Sequence, residues 1–176
     1  MNQPPAPSEY APFYQKYVDL VPAGQNPLAQ LRAQPAALKT LLAPLTDQQY
    51  QFRYAPGKWS ISEALVHMMD TERIFSYRAL RIGRGDTTPL VGFDQDRYVP
   101  ESGADARAVA SIWAEYAAVR AATLCLFESF GPATYLKQGV ASGGPISVRA
   151  LVWIIVGHEA HHMALFRERY LAGLGR

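Results

Sequence analysis

Three of the four histidines of this 176-residue chain fall in one run, GHEAHHMALF, from Gly157 to Phe166. His158 and His162 stand four apart with Glu159 beside the first, so the run reads H-E-x-x-H. On a helix, that spacing lets two imidazoles reach one divalent ion. In a zinc protease the intervening glutamate would serve as general base. The rest of the chain argues against that use. Zincins take a third ligand, usually downstream, yet only 14 residues follow His162 and none is histidine. Leu165 stands where a metzincin needs glycine. The protease reading therefore fails, and Glu159 loses its role as base.

A helical wheel at about 100° per residue places Leu151, Ile155, His158, His162, Leu165 and Arg169 on one stripe. The two histidines sit in the middle of that apolar face. His161 falls to one side, near Ile154 and Leu165, and Glu159 lies on the other flank. A buried neutral imidazole has one donor and one acceptor, and each unmet group costs roughly 1–3 kcal/mol. The pair must be satisfied by neighbouring carbonyls and carboxylates, or by a metal. The fourth histidine, His67 in SEALVHMMDTERIF, borders an apolar face set by Ile61, Ala64, Leu65, Met68, Phe75 and Ala79. It lies about two turns into its helix, and His158 about three turns into its own. If the two helices run antiparallel or cross near their middles, His67, His158 and His162 converge. Three protein ligands with one position open to water or substrate is the pattern of a catalytic metal site. Glu72 also falls on an apolar face, with Arg149, Arg169 or a backbone amide as its expected partner. Asp70 and Arg73 read as ordinary solvated charges.

The elements that must carry these residues read as follows. Pro4, Pro5, Pro7, Pro12 and Pro22 make residues 1–25 an extended arm, and Tyr10, Phe13, Tyr14 and Tyr17 suggest that it wraps over the body. Pro27 to Leu45 has helical leucine spacing, with Pro35 expected to kink or divide it. After YAPGKW, Ser60 and Glu63 form a capping box, and a second helix runs to about Gly83. The next twenty residues, RGDTTPLVGFDQDRYVPESG, lack periodicity and read as an ordered, functional loop. A third helix starts near Ser102 or Asp105 and stops at Gly131-Pro132. A fourth runs from Ser147 to about Ala172. No convincing strand pair stands out. The expected fold is all-α: one domain over residues 1–176, a four-helix bundle with a proline-rich N-terminal arm and a long loop between helices two and three.

Composition bounds the function. Apolar residues are 49% and charged residues 18%, as in a globular domain. The net charge of +2 is interspersed, so no basic stripe points to nucleic acid. The single Cys125 excludes an internal disulfide, suits a reducing compartment and, within LCLF, reads as a small buried hydrophobe. The N-terminus lacks a signal-peptide layout, and the longest apolar run, Ala150 to Gly157, is too short to span a membrane. A cytoplasmic location is expected.

Taken together, YAPGKWSISEALVHMMDTE, PLVGFDQDRYV and ISVRALVWIIVGHEAHHMALFRERY resemble the DinB-like superfamily over about Leu28 to Tyr170. These are four-helix bundles that include bacillithiol S-transferases and relatives of mycothiol-dependent maleylpyruvate isomerase. The resemblance implies that His67, His158 and His162 bind a divalent metal, commonly zinc or nickel. His161 and Glu159 gain no ligand role from it. It further implies metal-dependent transfer of a low-molecular-weight thiol to a small electrophile, as in detoxification or stress response. A metal-bound thiol is deprotonated and so becomes a nucleophile at neutral pH. The loop Pro89 to Pro100 is then the natural lid, with Asp94, Asp96, Arg97 and Tyr98 as candidate substrate contacts. Two other readings use the same ligands: a non-catalytic metal-binding bundle, and hydrolysis by metal-bound water. The expected partner is a small molecule, and the aromatic arm can support a homodimer, as is not unusual in that family.

Overall fold

In a computed structural model, which describes residues 2–176, the four long helices form where their periodicity places them, with shifted ends. In chain order the elements are α1 (Gln15–Val18), α2 (Pro27–Leu42), α3 (Ile61–Gly83), α4 (Gln95–Glu101), α5 (Val109–Glu128) and α6 (Pro132–Tyr135). A hairpin of β1 (Gln138–Ala141) and β2 (Gly144–Ser147) then leads into α7 (Val148–Leu165), which continues as a π-helical turn over Phe166–Leu171. The bundle proper is α2, α3, α5 and α7. Both α2 and α3 pack against α5 and α7, whereas α2 and α3 share no comparable contact and lie across a diagonal.

The core divides into two apolar clusters separated by a polar layer. One cluster holds Leu31, Phe75, Phe127 and Trp153, and the other holds Leu38, Leu65, Ile112 and Phe166. Membership of the clusters fixes direction. Helices α3 and α5 run from the second cluster to the first, while α2 and α7 run the other way. Helices α3 and α7 are therefore antiparallel neighbours, the arrangement that convergence of the histidines requires. Between the clusters lie Gln34, His67, Glu72, Arg120, His158, Glu159 and His162, all buried.

The helix starts follow their sequence signals. Ser60 Oγ accepts from Glu63 N at 3.0 Å, and Glu63 Oε2 accepts from Ser60 N at 2.9 Å, the reciprocal capping box. Ser147 Oγ accepts from Ala150 N at 2.9 Å and starts α7. Pro35, expected to kink or divide its helix, sits within an unbroken α2. Proline removes the N–H that would bond to the carbonyl four residues back. That carbonyl, on Leu31, instead accepts from Arg120 Nη1 at 2.8 Å.

Other expectations are corrected. A strand pair does exist: β1 and β2 pair antiparallel around a two-residue turn, Ser142-Gly143, in which both residues have positive φ. The long loop contains α4, and Leu90 bridges to Ala141 beside the hairpin. The third bundle helix begins later, at Val109, after a 3-10 turn over Ala104–Ala106. Cys125 is exposed on the outer side of α5, not buried. By length and composition α5 is apolar enough to cross a membrane, yet it carries the buried, ion-paired Arg120 that ties it to the other bundle helices.

The arm does wrap over the body. Tyr10 and Tyr17 are buried, and α1 packs against α7. Glu9 anchors it, accepting from Ser147 Oγ at 2.8 Å and from the Arg149 guanidinium. Gly157 permits the contact: a Cβ there would lie 1.9 Å from the Tyr17 carbonyl oxygen. Because that obstacle is backbone, a side chain at 157 must displace α1. Gly157→Ala is expected to lower stability by about 1–3 kcal/mol through overpacking and to speed tryptic cleavage at Lys16, as read by urea denaturation and limited proteolysis.

Candidate metal centre

His67 reaches inward from α3, and His158 and His162 from successive turns of α7. All three are at most 6% exposed. His67 Nε2 lies 3.1 Å from His158 Nε2, and His162 Nε2 lies 3.2 Å from the same atom. The Trp59 ring covers His67 at 4.7 Å between centroids, and Tyr17 meets His158 edge-on at 5.3 Å.

Burial holds His67 down to a pKa of about 4, with the charge of His161 adding to the effect. Burial, then the neighbouring histidines, depress His158 and His162 well below the ordinary value. All three rings are therefore neutral at pH 7, the form that ligates metals. Among themselves they cannot be satisfied. His158 Nε2 faces two other nitrogens, and whichever tautomer it takes, one good hydrogen bond is the most that single atom forms. A cation accepts all three lone pairs at once. Nitrogens around one tetrahedral zinc sit roughly 3.3 Å apart, close to the observed separations. The donor set thus fits a divalent ion, and the three ligand atoms lie within 4.8 Å of one another.

His161 is half-buried and remains outside the trio, edge-on to Tyr17. Glu159 is more than the bystander its wheel position suggested. It is 3% exposed, with Oε1 accepting from Tyr116 Oη at 2.8 Å and Oε2 from the Arg120 guanidinium. Glu72 pairs with neither Arg149 nor Arg169. It accepts from Arg120 Nε and Nη2, both at 2.9 Å, while Arg149 is taken by Glu9. Burial works against the Arg120 cation, but Glu72 and Glu159 overcome it and hold its pKa above the usual arginine value. Burial raises Glu159, with Arg120 and Tyr116 acting in the opposite direction. Arg73 bridges Asp70 at 3.4 Å and Glu115 at 2.6 Å on the surface. Sequence reading missed Arg120. Its signal was available: on α5 it shares the face of Ile112, Tyr116, Thr123 and Phe127, the same charge-on-an-apolar-stripe pattern that drew attention to Glu72.

Two clefts adjoin the histidines. One, of about 280 Å³, is lined by Lys16, Lys58, Trp59, His67, His161 and His162, with Asp96 at its edge. The other, of about 470 Å³, is lined by Phe13, Tyr14, Phe75, Phe93, Asp94 and His158. Tyr17 and Gln95 line both and form the partition. Of the loop residues singled out from sequence, Asp96 and Asp94 thus reach one cleft each. Asp94 also caps α4, accepting from Asp96 N at 3.0 Å. Arg97 and Tyr98 line neither cleft but an adjoining groove, with Asp70, Glu101 and Ser102, that shares Phe93 and Asp94 with the second cleft.

The sequence profile of the DinB superfamily matches residues 30–166. Among solved structures, the chain is similar to YfiT from Bacillus subtilis, described as a probable metal-dependent hydrolase with an unusual four-helix bundle topology. The two share 17% identity over 97% of this chain and 93% of that one, with a TM-score of 0.75. It is also similar to the mycothiol-dependent maleylpyruvate isomerase, at 11% identity and a TM-score of 0.66, over 78% of this chain and 58% of that one. At these identities the likeness establishes the fold. No curated protein matches the sequence significantly.

The burial of these groups sets two expectations. Arg120→Met leaves Glu72 and Glu159 buried without their cation and is expected to lose about 3–5 kcal/mol in urea denaturation. The metal-free protein should also lose stability on acidification. Below the ordinary histidine value of 6.5, the unfolded chain takes up a proton that folded His67 refuses until about 4. Stability is therefore intact above that window and falls as pH drops through it. At about 1.4 kcal/mol per pH unit, His67 alone contributes on the order of 3 kcal/mol. Denaturation midpoints across that range measure the slope, and His67→Ala should flatten it.

Proposed function

This chain belongs to the DinB superfamily, and from that premise we propose that it is a metal-dependent transferase that joins a low-molecular-weight thiol to a small electrophile. The observation that carries the reading is the placement of three neutral, buried imidazoles at the partition between two clefts of different chemistry. A transferase must bring two reagents together, and each cleft gives one of them a route to the same three nitrogens.

His67, His158 and His162 are the residues that would hold the ion. A divalent cation bound there supplies Lewis acidity, which favours the deprotonated form of a thiol or a water at neutral pH. Lys16 and Lys58, against the single Asp96, give the first cleft a net positive lining that attracts an anionic reagent. Phe13, Tyr14, Phe75 and Phe93 give the second an apolar wall that binds the body of an electrophile and excludes water. Tyr17 and Gln95, at the boundary, position both. Asp94 is the substrate contact offered by the loop on the apolar side. Arg97 and Tyr98 would join it through movement of α4, which bears them.

Metal-dependent hydrolysis is the second reading, favoured by the likeness to YfiT over nearly the whole chain. It needs one substrate and water, so only one cleft would matter. Elemental analysis of protein purified without chelator or affinity-column metal should give about one divalent ion per chain. His162→Ala should weaken metal affinity by more than the roughly 10–100-fold that loss of an outer hydrogen-bond partner costs. Metal-loaded protein should then conjugate a thiol from a panel to an electrophile such as a chlorodinitrobenzene. Cleavage of ester or amide substrates with no thiol conjugation would favour hydrolysis, and failure to take up metal in excess would overturn both.

A further inference from the structure

Beside His158, sharing Thr71 and His158 as walls with the second cleft, lies a small space of about 10 Å³, lined by Met68, Thr71, Glu72, Ile155, His158 and Glu159. Four of its six walls are polar side chains in the middle of the core. One of them, Thr71 Oγ1, is buried and has no protein hydrogen-bond partner. Thr71 is 3% exposed, and a buried hydroxyl left unpaired costs roughly 1–3 kcal/mol. Apolar cavities stay dry, but a polar one this size accommodates a single water molecule when two to four polar groups face it.

We propose that one ordered water occupies this space and links the metal ligand His158 to the carboxylate pair that Arg120 holds. The partners balance. The water accepts from the Thr71 hydroxyl and from the second ring nitrogen of His158, whose Nε2 is directed at the other two histidines. It donates to Glu72 and Glu159. Both carboxylates have lone pairs to spare, because Arg120 supplies two hydrogen bonds to Glu72, and Arg120 and Tyr116 supply one each to Glu159. The donor side of His158 is thereby fixed, so its Nε2 presents a lone pair to the ion. Ligating histidines characteristically give their other N–H to a carboxylate, carbonyl or water, and losing that partner typically costs 10–100-fold in metal affinity. Thr71 is thus a positioning residue, acting on the metal through the water and the His158 ring. The metal half of this inference rests on the proposed function; the water does not.

The test compares Thr71→Val, which keeps the shape and removes the hydroxyl, with Thr71→Ser, which keeps the hydroxyl. If the hydroxyl holds a water, Thr71→Val lowers the Tm of the metal-free protein by about 2–4 °C, and a high-resolution crystal structure of the wild type shows a density peak within hydrogen-bond distance of Thr71 and a carboxylate. If the hydroxyl is merely unpaired, Thr71→Val leaves Tm unchanged or raises it and no peak is seen; either result overturns the proposal. For the link to the metal, zinc affinity measured by chelator competition should fall at least tenfold in Thr71→Val and recover in Thr71→Ser. Equal zinc affinity in all three proteins overturns the positioning role. A wild type that binds no zinc, nickel or other divalent ion sinks the proposed function, while the metal-free Tm comparison and the density peak still decide the water.

Discussion

The guanidinium of Arg120 is the point on which the bundle turns. From α5 it donates to Leu31 on α2, to Glu72 on α3 and to Glu159 on α7, so one side chain bonds to each of the other three bundle helices. A charge taken out of water forfeits several kcal/mol of hydration, and one carboxylate rarely makes that good. Here two carboxylates and a free carbonyl surround it. The carbonyl is free because Pro35 has no N–H to offer it. A proline that looks like a defect in α2 is therefore half of a contact completed from α5. Because each partner sits on a different helix, no helix can slide along its axis without breaking a charge-assisted hydrogen bond, which is stronger than a neutral one. The register of the bundle follows from this one group.

Register matters because the histidines share the layer. Glu72 is five residues after His67 on α3, and Glu159 follows His158 directly on α7. Fixing the two carboxylates against Arg120 fixes the height of both histidine-bearing helices, and the Nε2 atoms of His67 and His162 each come within 3.2 Å of that of His158. The surroundings are also suited to a cation. Two carboxyl groups and one guanidinium lie next to rings that burial keeps neutral. A divalent ion among those rings would meet neutral donors in a region of low dielectric, where electrostatic terms are least screened. The buried charges that stabilise the fold and the neutral donors that suit a metal are one construction.

What the sequence disclosed divides along the range of the interactions. The capping box at Ser60 and Glu63 and the stripe holding His158 and His162 depend on residues within a turn or two, and periodicity reveals them. Antiparallel packing of α3 on α7 was a condition in the sequence and a fact only in three dimensions. The partner of Glu72 could not be chosen from sequence, since Arg120 is 48 residues away and Arg149 and Arg169 carry the same charge. The hairpin is hard to read from sequence because its strands are four residues each and its turn, Ser142-Gly143, gives a weaker signal than Asn-Gly. The exposure of Cys125 is not legible in sequence because α5 is apolar nearly all round, so its wheel has no clear outer side.

The arm brings residues to both clefts from outside the span that the superfamily profile matches. The superfamily profile covers residues 30–166 and so contains all three histidines, Arg120 and both carboxylates. Lys16 and Tyr17 in the first cleft, and Phe13, Tyr14 and Tyr17 in the second, come from before that span. They are held there by the Glu9–Arg149 pair and by a glycine at 157 that lets the Tyr17 carbonyl lie against α7. That glycine directly precedes His158, so the position that admits the arm also sets the arm's distance from the nitrogens. The bundle supplies the donors, and the arm shapes the space that a ligand must cross to reach them.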